Sequence, residues 1–123
     1  MNDLQNFGKK GEEIAAKYLQ NKGYTIRDRN WRFHRIELDI IAETADYLVI
    51  VEVKTRRNDT FCHPSSAVNH SKIKHIVNAT QAYIFKHNIH KDTRFDVISI
   101  IPTENGNFNI EHQEDAFIPP LGR

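Results

Sequence analysis

The segment YLVIVEVKTRR, residues 47–57, starts like the inside of a sheet and ends in charge. Side chains alternate along a strand, so residues two apart share a face. Leu48, Ile50, Glu52 and Lys54 fall on one side, and Val49, Val51, Val53 and Thr55 on the other. Just upstream, RIELDIIAE reads as a second strand, with Glu37, Asp39 and Ile41 opposite Leu38, Ile40 and Ala42. The short ETAD connection between them predicts an antiparallel hairpin. If the all-apolar sides coincide, the charged sides coincide too, and Asp39 stands across from or diagonal to Glu52. A slip of one residue would drive charge into the core, so the apolar pattern itself argues for this register.

Working outward, Leu4, Phe7, Ile14, Ala15, Tyr18 and Leu19 follow a helical face, and Gly23 stops it. Glu12 lands on the border of that stripe, while Glu13 points nearly the opposite way. YTIRDRNWRF is a first strand. NDTFCHPSS is a loop, and Ser71 is placed to cap a second helix through KIKHIVNATQAYIFKH. Its inner stripe is Ile73, Ile76, Val77, Thr80, Tyr83 and Ile84. RFDVISIIP and NFNIEH are the last two strands, giving an α/β chain of order αβββαββ.

The bulk properties narrow the class. A chain of 123 residues fits one domain, spanning residues 1–123 with a loose tail from about residue 116. A formal net charge of +1 indicates no partner by itself. Cys62 is the single cysteine, so no internal disulfide can form, which suits a reducing cytoplasm. The polar start MNDLQNFGKKGEE lacks the apolar core of a signal peptide, and the apolar runs are too short to span a bilayer.

Clustered carboxylates raise one another's pKa and resist burial. A cation such as Lys54 can relieve them, and so can a hard dication. Oxygen ligands alone suit Mg²⁺ or Mn²⁺ rather than zinc. At a phosphodiester, such a metal neutralises non-bridging oxygens and activates a water. A neighbouring lysine can orient that water or offset charge building on phosphorus. Asp39, Glu52 and Lys54 supply these parts, and Glu12 could complete the shell. The bland alternative is a salt-bridged patch on a solvated sheet face, because a D…ExK pattern is short and common.

Three blocks add specificity. GEEIAAKYLQNKGYTIRDRNWR, ELDIIA and VEVKTRR resemble the YraN-like family of small bacterial proteins. That family is described as predicted endonucleases of the PD-(D/E)XK superfamily, related to archaeal Holliday-junction resolvases. The resemblance runs from about Gly11 to the RFDVISI strand. It implies a restriction-endonuclease-like three-layer core, with a central mixed β-sheet flanked by helices. It assigns catalytic roles to Glu12, Asp39, Glu52 and Lys54, and metal ligation to Asp39, Glu52 and the Val53 carbonyl. Leu38 stands where the superfamily signature has proline, and Ile36 where the family usually has glycine.

Basic residues flank these positions. Arg27, Arg29, Arg32 and Arg35 precede the acidic strand, Arg56 and Arg57 follow it, and Lys72 and Lys74 open the second helix. Arg32, Arg35, Arg56, Arg57, Lys72 and Lys74 are the expected DNA contacts. Trp31 and Phe33 would stack on bases or belong to the core rim. Cutting both strands of a branched DNA needs two sites, which a homodimer would supply, although no sequence feature demands one. Two other readings stay open: a DNA-binding module without turnover, and a protein-interaction adaptor. Cys62, His63, His70 and His75 match no standard zinc spacing, and no glycine-rich phosphate loop is present. His34, His87, His90 and His112 read as surface.

Overall fold

The computed structural model describes residues 3–55 and 70–117, with side chains described for residues 8–55 and 71–117. The elements are α1 (Asp3–Asn21), β1 (Thr25–Phe33), β2 (Ile36–Glu43), β3 (Tyr47–Thr55), α2 (His70–His87), β4 (Asp92–Pro102) and β5 (Phe108–Gln113). This is the order expected from the sequence. The strands form one five-stranded mixed sheet in the order β1-β2-β3-β4-β5. β3 and β4 run parallel from Tyr47↔Asp92 to Thr55↔Ile100, and the other neighbours pair antiparallel.

Both helices end in the same way. Gly23 takes φ 97°, its N–H donates to the Gln20 carbonyl, and Tyr24 N–H donates to the Leu19 carbonyl. α2 repeats this with Asn88 at φ 55° and Ile89 N–H on the Ile84 carbonyl. A left-handed residue after the last turn satisfies carbonyls that the helix leaves open. The α2 start differs from expectation. The helix already includes His70, so Ser71 lies inside it and does not cap it.

The two helices cover opposite faces. Ala15, Ala16 and Leu19 of α1 pack with Val49, Val51, Ile98 and Ile100. Ile76, Ala79 and Tyr83 of α2 pack with Leu48, Ile50, Phe95 and Val97. Gly11 brings α1 close to β3, and a Cβ there would overlap the Thr55 methyl group. At the C-terminal side, Ala116 N–H donates to the Phe95 carbonyl and Phe117 stacks on Phe95. The chain is thus still packed where a loose tail was expected to begin. Residues 118–123 lie outside the described residues.

The alternation expected for β2 fails at one place. Leu38 joins Ile41 in the α2 core, while Ile40 joins Ala42 in the α1 core. Leu38 and Ile40 therefore face opposite ways despite being two apart. Their partners switch as well: Trp31, opposite Leu38, packs toward α2, whereas Arg29, opposite Ile40, bonds Glu13 of α1. Between these pairs lie Asn30 and Asp39. Asn30 has φ 52°. A left-handed residue within a strand adds local twist, and here it turns both strands over.

Candidate functional site

The β2–β3 ladder runs from Glu43↔Leu48 to Ile40↔Val51. Just beyond the last paired residues stand Asp39 on β2 and Glu52 on β3. Asp39 sits at the turnover, so its carboxyl does not simply stand on one face. Its Oδ2 accepts the Val53 N–H at 2.9 Å, which puts it in the seam between the two strands. From there, groups on both helices reach it. Glu12 of α1, whose Oε1 accepts a hydrogen bond from Asn30 Nδ2 at 3.0 Å, acts on Asp39 electrostatically. Lys72 of α2 does the same with opposite sign.

Glu52 is only 8% exposed. It continues the Leu48–Ile50 side of β3 and meets the start of α2. Its Oε2 lies 2.6 Å from Lys72 Nζ and 3.8 Å from Lys54 Nζ. The charges at the end of β3 are therefore gathered against α2 rather than spread over a wet face.

The electrostatics follow from this crowding. Burial, then the Glu52 and Glu12 carboxylates, push the Asp39 carboxyl up to about 7, against the pull of the Val53 N–H and Lys72. Burial and the neighbouring Lys72 lower the pKa of Lys54, while Glu52 and Asp39 resist. Burial opposes the charge on Lys72 too, but its bond to Glu52 outweighs this and raises its pKa. The site thus offers a carboxyl that can hold or release a proton near neutrality and an ammonium that releases its proton more readily than usual.

Among the described residues, no group of three or more His, Cys, Asp and Glu side chains is gathered as a metal centre. The donor set is thinner: two acidic side chains in mutual repulsion, bonded through Asp39 Oδ2 and Glu52 Oε2. That suits a small hard dication which keeps several waters and takes one or two carboxylates. It does not suit zinc.

The sequence from residue 11 to residue 100 matches the model of the uncharacterised protein family UPF0102. The chain belongs to the UPF0102 family. This is the YraN-like family that the three sequence blocks resemble. The chain is 47% identical over 121 residues to a UPF0102 protein of Phocaeicola vulgatus, covering 98% of this chain and 99% of that one. It is 50% identical to a UPF0102 protein of Bacteroides thetaiotaomicron at the same coverage. A UPF0102 protein of Flavobacterium psychrophilum is 42% identical, with 95% and 98% covered.

In this UPF0102 chain, the four residues singled out as catalytic, Glu12, Asp39, Glu52 and Lys54, converge on the end of the β2–β3 ladder. The basic residues divide. Arg27 is held by Glu43 at 2.9 Å and Arg29 by Glu13 at 2.6 Å, so neither stands ready for a phosphate. Arg32 is exposed, 3.7 Å from Glu37. Arg35 lies exposed in the turn between β1 and β2, and Lys74 is exposed on α2. Arg56, Arg57, Cys62 and His63 lie outside the described residues. Trp31 stacks on Phe33 and meets the Tyr83 ring edge-on, so it serves the packing of α2.

Two contributors to the site go beyond the sequence reading. Lys72 was read as a phosphate contact, yet it forms the shortest ion pair to Glu52, and twenty residues of separation carry no signal for that. Asn30 did carry a signal, since asparagine is among the residues several-fold enriched at positive φ. His112 corrects another expectation. Its side chain is 4% exposed, not at the surface, and its Nε2 lies 2.7 Å from Asp96 Oδ2. Asp96 is fully buried and also takes Arg94 and the Asp115 N–H.

Proposed function

We propose that this UPF0102 chain is a metal-dependent hydrolase of DNA phosphodiester bonds, an endonuclease with a restriction-endonuclease-like core of one domain. The observation that carries this is the meeting of Asp39, Glu52 and Lys54 at the end of one strand pair, with Glu12 reaching them from α1. Helices on both faces of a mixed sheet and the resemblance to PD-(D/E)XK enzymes support the same reading.

Asp39 and Glu52, with the Val53 carbonyl, would hold Mg²⁺ or Mn²⁺, which supplies Lewis acidity at the phosphate. Lys54 donates toward the charge that builds on phosphorus. Glu12, anchored by Asn30, adds negative charge behind Asp39 and fixes its side of the seam. Lys72 neutralises Glu52 and can exchange that partner for a phosphate oxygen.

The same Lys72–Glu52 pair favours a second reading, a DNA-binding module without turnover, because an ammonium already satisfies one acidic group. The deciding experiment is incubation with plasmid, flap and four-way-junction DNA, with Mg²⁺ or Mn²⁺ against EDTA. Cleavage that needs metal and is lost in Asp39→Asn supports the hydrolase. Absence of cleavage on every substrate, with DNA binding retained, overturns it in favour of the binding module.

A further inference from the structure

A groove runs from Lys72 outward between the β1–β2 turn and the first half of α2. Two adjoining cavities make it up. One, of about 340 Å³, is lined by Arg35, Ile36, Glu37, Ser71, Lys72, His75 and Ile76. The other, of about 430 Å³, is lined by Phe33, His34, Arg35, Ile36, His75 and Asn78. They share Arg35, Ile36 and His75. Each falls in the roughly 300–1,000 Å³ range of small-ligand sites.

The two halves differ in chemistry. The inner half carries two cations, Arg35 and Lys72, and the His75 imidazole around one acidic residue, Glu37, which has Arg32 3.7 Å away. It joins the Asp39–Glu52–Lys54 site directly, because Lys72 lines it and bonds Glu52. The outer half is apolar, walled by Phe33 and Ile36, with Asn78 at its rim. The His34 ring lies 4.3 Å from Phe33, edge toward face, so two rings border the opening. His34 takes φ 58° in the turn.

A cationic inner half beside an aromatic outer half matches a phosphate followed by a base. A base enters such a cavity only when it is out of the double-helical stack. We infer that this groove holds one unpaired nucleotide of a DNA strand, its phosphate toward Arg35, Lys72 and His75 and its base against Phe33. The substrate is then DNA with an unpaired end or branch, not continuous duplex. This deepens the hydrolase reading and rests on it only for the word substrate; the groove binds whether or not cleavage follows. Asn78 supplies an amide that can bond a base edge.

The test measures binding by fluorescence anisotropy in EDTA, and again with Ca²⁺. The probes are a blunt duplex, the same duplex with a three-nucleotide overhang, and that overhang made abasic. One stacked base predicts roughly tenfold tighter binding of the overhang than of the blunt end, lost when the overhang is abasic. Phe33→Leu, which keeps an apolar side chain but removes the ring, should remove most of that preference. Arg35→Glu and His75→Glu, both at exposed positions, should weaken overhang binding, with circular dichroism confirming the fold. A nucleoside monophosphate should compete only weakly, since it lacks the rest of the strand.

Equal affinity for all three probes overturns the inference, as does an overhang preference untouched by all three variants. Competition by polyglutamate as strong as by single-stranded DNA also overturns it, since charge alone would explain the docking. The two readings fail separately. An intact overhang preference without cleavage removes the hydrolase, and metal-dependent cleavage of blunt duplex without any preference removes the groove assignment.

Discussion

Asp39→Asn should make the protein more stable at neutral pH. In the folded chain, burial and two acidic neighbours move the Asp39 carboxyl from its usual 3.8 to about 7. Between those values the unfolded chain has released the proton and the folded chain has kept it. The unfolded state binds fewer protons in that window, so stability falls as pH rises from 3.8 and levels off above about 7. Each tenfold change in proton affinity is worth about 1.4 kcal/mol, and roughly three such factors set a ceiling of about 4 kcal/mol. Asp39 is mostly but not wholly buried, so water screens part of this, and about 1–2 kcal/mol is expected. Asparagine keeps an oxygen for the Val53 N–H and brings no charge. Urea denaturation at about pH 4, 6 and 8 is the assay. The variant should match the wild type near pH 4 and exceed it by about 1–2 kcal/mol at pH 8. A variant less stable at pH 8, or one with the wild-type pH slope, would refute the crowding described for the seam.

The other expectations concern packing and the second buried charge. Gly11→Ala should cost roughly 1–3 kcal/mol by overlapping the Thr55 methyl group, and adding Thr55→Ser should recover most of it in a denaturation cycle. Ser99 is fully buried and its Oγ has no partner among the described residues, so Ser99→Ala should be neutral or stabilising by about 1 kcal/mol in thermal melts. Asp96→Asn should cost roughly 3–5 kcal/mol, because Arg94 is left without its buried partner. Burial works against ionised Asp96, yet His112, Arg94 and the Asp115 N–H outweigh it and depress its pKa. Its contribution is therefore present above the ordinary carboxylate value and is lost as pH falls below it. Acid titration of the wild type should show this loss, and the variant should not.

Most of the architecture was readable because its signals are local. Alternation in residues 47–55 and the apolar stripe of residues 73–84 each depend on neighbours in sequence. The charged ends of two adjacent strands followed from that alternation. What stayed hidden was relational. Lys72 pairs with Glu52 because α2 crosses one end of β3, and no local pattern encodes a crossing. Leu38 and Ile40 were placed on one face because alternation assumes an untwisted strand, and Asn30 breaks that assumption. His112 looked like surface because a lone histidine on a short final strand gives no hint of Asp96 beneath it.

The parallel pairing of β3 with β4 has a consequence for how the chain is made. Tyr47 must wait for Asp92, and everything between them must be synthesised first. The three-strand meander can assemble early, since its contacts are near in sequence. Until β4 arrives, β3 is an open edge carrying Val49, Val51 and Val53, the kind of ribbon that invites pairing with another molecule. Slowing the ribosome after residue 55, or refolding at high concentration, should therefore favour aggregates and strand-exchanged species over the native fold.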